Sequence, residues 1–210
     1  MAYLEYSGFP GTLTPADWER AFAPYDEDTY QPALNWLTAA DVVLDIGAGD
    51  LRFARRAAAR VRALLAIEQH AELISDPLPR NLRVQVGDAR AVPFPTGLTT
   101  GVLLMRHCQH FKLYLLKLRA AGARWLITNA RWGMGVERLD LAAPRVAYAK
   151  ARAGWYACDC GATGFITHAP ADITTESLNH VMEVAACPHC RFGKLTFCGL
   201  ESTKGHEEKI

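Results

Sequence analysis

Three carboxylates and four thiols carry the chemistry legible in this chain. Asp45, Glu68 and Asp88 each follow an apolar run: Val42 to Leu44, Val61 to Ile67, and Leu82 to Val86 with Gly87 between. A carboxylate accepts protons from hydroxyls or faces a cation, and it repels a bare phosphate. Gly47 and Gly49 come just after Asp45, and a helical pattern opens at once with Leu51-Arg52-Phe53. Strand, glycine turn and helix N-terminus form the place where an open α/β sheet takes a nucleotide-like ligand. The glycines allow the backbone to approach that ligand closely. Glu68 stands about twenty residues beyond them, the separation at which an acid on the second strand takes ribose hydroxyls.

The thiols form two close pairs, Cys158-Asp159-Cys160 and Cys187-Pro188-His189-Cys190, with Gly161 after the first. Such pairs at tight turns predict a four-thiolate structural Zn2+ site. Tyr156-Ala157 and Leu195 to Phe197 read as the ribbon strands beside them. A redox pair and unliganded core thiols are the other readings, and His168, His180 or His189 could replace one thiolate. A closed site of four ligands leaves no position for water, so it carries no catalytic role. About 50 residues with few large apolar groups cannot hold a hairpin array by burial alone. A structural zinc contributes on the order of 10 kcal/mol to folding such a module.

The elements that must position these groups follow from periodicity and turn signals. Strands are expected at 42–46, 62–67, 82–86, 101–106 and 124–128, and helices near 51–61, 69–74 and 111–121. That alternation predicts α/β architecture with a doubly wound, mostly parallel sheet and a small C-terminal zinc-ribbon-like β module. Helices are also expected from Thr14-Pro15, from Asp28 to Leu37 with a break near Pro32, and over 144–153 as a connector. Expected boundaries are 1–40 for a helical lead-in or lid, 41–143 for the ligand-binding domain, and 144–210 for the connecting helix and ribbon. Ligands bind at the carboxyl ends of such strands. Arg106, His107, Gln109 and His110, beyond the fourth strand, therefore belong near the reacting atoms.

Residues 42–49 resemble the first motif of the class I S-adenosylmethionine-dependent methyltransferases. Glu68 resembles their ribose-binding acid, and Asp88-Ala89 their adenine-binding pair. The resemblance covers roughly residues 25–132 and implies a Rossmann-like methyltransferase fold. It implies S-adenosylmethionine held by Asp45, Gly47, Gly49, Glu68, Asp88 and Ala89, with Arg106 beside it. Tyr25 and Tyr30 stand where that family often has a lid, although they also read as residues packed on the sheet. His107 or His110 would act as base for a protonated acceptor. Leu51 stands where the family often has glycine. Arg52 stands where a dinucleotide fingerprint has its third glycine. The Asn/Asp-Pro-Pro-aromatic sequence of many amino-group methylases of bases is missing after the fourth strand. Asn129-Ala130-Arg131-Trp132 resembles it only faintly and follows the fifth.

The rest of the chain bounds the reading. Its 210 residues, half of them apolar, suffice for one ordinary domain and a small appendage. A net charge of +1 names no partner. Arg52, Arg55, Arg56, Arg60 and Arg62, and the stretch Arg145, Lys150 and Arg152, read first as solvated helix faces. The opening Met-Ala-Tyr-Leu-Glu-Tyr has no basic-then-apolar pattern, and no apolar run approaches the ~18 residues of a membrane span. A cytoplasmic protein with reduced or metal-bound cysteines is expected. The expected activity is methyl transfer from S-adenosylmethionine to an unspecified acceptor (RNA, protein or small molecule), with a macromolecule favoured. The alternative is a zinc-ribbon binding module whose Rossmann-like half holds the cofactor without turnover. Composition does not speak to oligomeric state.

Overall fold

The computed structural model describes residue 14 and residues 27–106, 108–132, 135–167 and 169–192. Five helices are described: α1 (Glu27–Asn35), α2 (Arg52–Ala58), α3 (Phe111–Ala120), α4 (Thr175–Asn179) and α5 (Pro188–Phe192). Strands β1 (Val42–Ile46), β2 (Ala63–Glu68), β3 (Leu82–Val86), β4 (Thr100–Leu103), β5 (Trp125–Thr128) and β6 (Glu137–Asp140) form one sheet in the order β3-β2-β1-β4-β5-β6. All neighbours run parallel except β5 and β6. The doubly wound sheet is therefore as the alternation predicts, and its strands lie within three residues of their expected ends.

Side chains alternate across each strand, and the sheet builds a core on both faces. Val43, Leu64, Val102 and Ile127 pack with Leu34 of α1 and Phe53, Ala54 and Ala57 of α2. Leu44, Ile67, Leu103 and Leu126 pack with Phe111, Leu115 and Leu118 of α3. A fully buried Leu or Ile contributes roughly 1.5–3 kcal/mol. Leu115 and Leu118 are completely enclosed, so Leu115→Ala would cost about 2–5 kcal/mol. α3 lies close against the sheet at Gly101, where a Cβ would sit 2.5 Å from Leu118 Cδ1.

The strand order reverses between β1 and β4. The chain leaves β1 toward β2 on one side and enters β4 on the other, which opens a crevice over their carboxyl ends. β6 folds straight back on β5, so among the described residues one antiparallel strand closes that edge.

A second sheet has the order β7 (Val146–Ala147), β10 (Val181–Ala185), β8 (Gly154–Cys158), β9 (Thr163–Ile166). β8 and β9 form an antiparallel hairpin, whereas β10 runs parallel to both β8 and β7. The connecting helix expected over 144–153 is not formed. Val146–Ala147 join β10 and Tyr148–Lys150 make one 3-10 turn. Alanines there offer no apolar stripe to bury, and the β10 edge takes the backbone hydrogen bonds instead. The helix expected near 69–74 shrinks to a 3-10 turn at Ala71–Leu73. α1 continues through Pro32. Apart from Thr14, the first expected helix lies outside the described residues, as do Tyr25, His168 and the strand expected at Leu195 to Phe197.

Candidate functional site

The β1–α2 turn is built from three left-handed residues: Gly47 at φ 70°, Gly49 at φ 54° and Leu51 at φ 67°. For leucine that conformation costs roughly 1–2 kcal/mol. Complete burial of its side chain among Phe53 and Leu64 offsets this. A Cβ at Gly47 would also lie 2.9 Å from Met105 Cε, so the end of that flexible side chain would have to shift. The Gly47 and Ala48 N–H groups donate to Ile67 O at 2.9 and 3.2 Å, pinning the turn to the tip of β2.

The three acids converge on one cleft of about 760 Å³. Glu68 is buried, and it accepts from Gly49 N at 2.8 Å and His70 N at 2.9 Å through its two oxygens. Each oxygen keeps a lone pair for a hydroxyl. Asp45 is also buried, and its Oδ2 has no hydrogen-bond partner among the described residues. Burial, with the neighbouring Glu68 charge added, pushes the Asp45 carboxyl up to about 7. Asp88 is half-exposed and gripped by the Arg90 guanidinium, which holds it below the usual carboxylate range. Ala89 lies buried beside it.

The remaining expected residues divide. Tyr30 of α1 lines the cleft while packing against Phe53 of α2 at 5.7 Å. Arg106 and His110 line the cleft, and His110 caps α3 with its ring edge-on to Tyr114 at 6.3 Å. His107 lies outside the described residues. The sequence reading missed His70 and Tyr114, both in the cleft wall. Tyr114 was within reach, because it follows His110 by one helical turn and so shares its face.

The four cysteines also meet. Their Sγ atoms all lie within 4.8 Å of one another, with Cys158–Cys190 and Cys160–Cys187 at 3.6 Å and Cys187–Cys190 at 3.9 Å. Tetrahedral zinc with Zn–S of ~2.3 Å needs S–S edges of about 3.8 Å. The donors thus fit a four-thiolate ion. Each pair is a backbone knuckle: Gly161 N donates to Cys158 O, and Cys190 N to Cys187 O, both at 2.9 Å.

No family model matches the chain, and no curated protein matches it. Solved structures similar to it include an S-adenosylmethionine-dependent methyltransferase from Aquifex aeolicus, 14% identical with TM-score 0.42, over 56% of this chain and 71% of that one. A dimethyladenosine transferase from Plasmodium falciparum is 17% identical with TM-score 0.41, over 47% and 38%. A precorrin 8w decarboxylase from Methanobacterium thermoautotrophicum is 23% identical with TM-score 0.39, over 46% and 57%. The chain spans under half the length of the dimethyladenosine transferase. These likenesses are of fold, and one fold hosts several reactions. Function has to be argued from the cleft itself.

Chemically, the cleft has acids over β1, β2 and β3, and Met105, Arg106 and His110 over β4. The acidic half suits hydroxyls and a cation. The β4 half places an imidazole and a guanidinium in the cleft wall. Among the described residues no helix is long and apolar enough to cross a membrane.

Proposed function

We propose that the cleft binds S-adenosylmethionine and that the chain transfers its methyl group to a macromolecular acceptor. The observation that carries this reading is Asp45, a buried carboxyl in the wall of a ligand-sized cleft beside a second acid, with one oxygen that has no hydrogen-bond partner among the described residues. Such a pair attracts a cationic ligand and repels a pyrophosphate, which wants a helix N-terminus free of acids. When bound, that donor supplies a sulfonium carbon already reactive toward nucleophiles. Glu68 takes the ribose hydroxyls, Asp88 and Ala89 border the base, and Tyr30 covers the open side. His110 holds the acceptor or removes its proton. Positioning of this kind can supply roughly 7–11 kcal/mol of the barrier. The four thiolates hold Zn2+, which orders the C-terminal sheet.

The test is calorimetry with S-adenosylmethionine, S-adenosylhomocysteine and NAD, followed by labelled methyl transfer to cell extract with and without ribonuclease or protease. Binding of the first two but not NAD, with label in one nuclease- or protease-sensitive fraction, is expected. Binding of NAD alone overturns the reading.

A second reading draws on a specific surface. Trp155 is 39% exposed and meets Trp132 and Phe165 edge-on at 6.1 and 5.0 Å. Aromatic rows of this kind serve as binding platforms. In that reading the chain holds the donor without turnover and works as a docking module; donor binding without any labelled fraction supports it.

A further inference from the structure

The metal knuckle and the acidic cleft lie on different sheets, yet one helix touches both. Asp159 stands between two of the four thiols, and its carboxylate accepts from Arg119 Nη1 at 2.7 Å and Nη2 at 3.3 Å. Arg119 is in the last turn of α3 and also donates to Leu141 O at 3.1 Å. Gly161, which closes the same knuckle, lies against Phe111 at the start of α3. A Cβ there would sit 3.4 Å from Phe111 Cβ and Cδ1. The knuckle therefore holds α3 at both ends.

Midway along that helix, Lys117 reaches the other way. Its Nζ donates to Ala89 O at 2.5 Å, Val92 O at 2.6 Å and Arg90 O at 3.1 Å, and it lies over the Phe94 ring at 4.2 Å. An ammonium has three protons, and all three are used on the loop that carries Asp88. The first turn of α3 supplies His110 and Tyr114 to the same wall. Phe111, Tyr114, Leu115 and Leu118 bury the helix against the sheet.

We propose that α3 couples the four-thiolate site to the Asp88–Val92 loop, with Asp159, Arg119 and Lys117 as positioning residues. Metal binding orders the Cys158–Gly161 turn. That turn seats α3, and Lys117 then holds the loop in its cleft-forming position. The consequence for the methyl donor rests on the function proposed above; the mechanical link does not. Because coupling between two sites is reciprocal, the donor must raise metal affinity by the factor by which metal raises donor affinity.

The experiment uses the full chain loaded with one equivalent of cobalt(II), whose thiolate absorption reports occupancy. Hydrogen exchange is followed at Arg90, Ala91 and Val92, whose amides bond to Asp88. Chelating the metal is expected to speed exchange there about tenfold while β1 and β2 stay protected. Asp159→Asn is expected to keep the cobalt spectrum and yet show fast loop exchange when loaded. Lys117→Met is expected to exchange fast with or without metal. Loop exchange in metal-loaded Asp159→Asn equal to that of the unsubstituted protein overturns the coupling, even if the chelated protein unfolds as a whole. S-adenosylhomocysteine titrations separate the two proposals. A metal-dependent affinity change of about 5–10-fold supports both. A responsive loop with no donor binding sinks the donor and leaves the link. Donor binding with an unresponsive loop sinks the link alone.

Discussion

Two buried ionisable groups, Arg131 just past the end of β5 and Asp45 near the end of β1, are treated in opposite ways. The Arg131 side chain has no exposure. It donates to both oxygens of Glu137 at 2.7 and 2.6 Å, and to both oxygens of Glu183 at 2.8 and 2.7 Å. Burial alone would favour its neutral form, but the two carboxylates overwhelm that and hold it charged. Asp45 has burial and a second acid, with no cation among the described residues to answer either. The first arrangement ties β6 and β10 of the two sheets together. The second leaves the electrostatics of the cleft unfinished. Perturbed groups of the second kind mark places where a ligand completes the site.

The contrast can be broken at four points. The largest effect is expected at the metal. Cys158→Ser with Cys160→Ser removes two ligands and with them most of a folding contribution on the order of 10 kcal/mol. The module should lose its near-ultraviolet dichroism and its metal. Retention of one bound metal and native dichroism would count against the four-thiolate site.

Next comes Arg131→Met, which leaves Glu137 and Glu183 facing each other without a cation. A loss of about 3–5 kcal/mol in urea unfolding is expected. Replacing all three by apolar residues of similar size should recover most of it. A loss below ~1 kcal/mol would mean the pairing holds little together.

Asp45→Asn should act in the opposite sense on stability. Between pH ~4 and ~7 the native protein keeps a proton on Asp45 that the unfolded chain has released, so stability falls as pH rises through that window. The fall amounts to at most about 4 kcal/mol, three pKa units at ~1.4 each. Asn has no proton to lose, so the variant should lack this slope and be more stable than the parent at pH ~8. Donor affinity should rise with pH through ~7 in the parent and be weaker and flat in the variant. Parallel pH profiles of the two proteins in urea would exclude this role.

The smallest change is Leu51→Gly. Relief of left-handed strain gives back about 1–2 kcal/mol, but deleting an enclosed leucine side chain costs about 2–5. The net is a loss of about 0–4 kcal/mol, centred near 2. A more stable variant would show that strain outweighs burial at this turn.

Much of the acidic half of the cleft was legible because its signals are local. An apolar run, an acid at its end and glycines just beyond are contiguous in the chain, and three repetitions of run and acid give three strand tips. The cysteine pairs are legible for the same reason, since each knuckle closes within four residues. The helix expected at 144–153 failed because alanine-rich segments carry weak periodicity, and the open edge of β10 decided the matter. Arg145 read as part of a solvated face, yet it is half-buried and pairs with Asp159 at 2.9 Å. Nothing adjacent to Arg145 in sequence announces an acid fourteen residues away.

Local pattern, then, was enough for the parallel sheet, the acids at its carboxyl edge and the two knuckles, because each depends on residues a few positions apart. Tertiary structure alone decided that Asp45 Oδ2 has no partner among the described residues while Arg131 meets two carboxylates. It alone seated α3 between thiols and cleft, and forced Leu51 into the left-handed region. Those outcomes depend on which distant groups share a low-dielectric interior, and that is settled only when the layers pack.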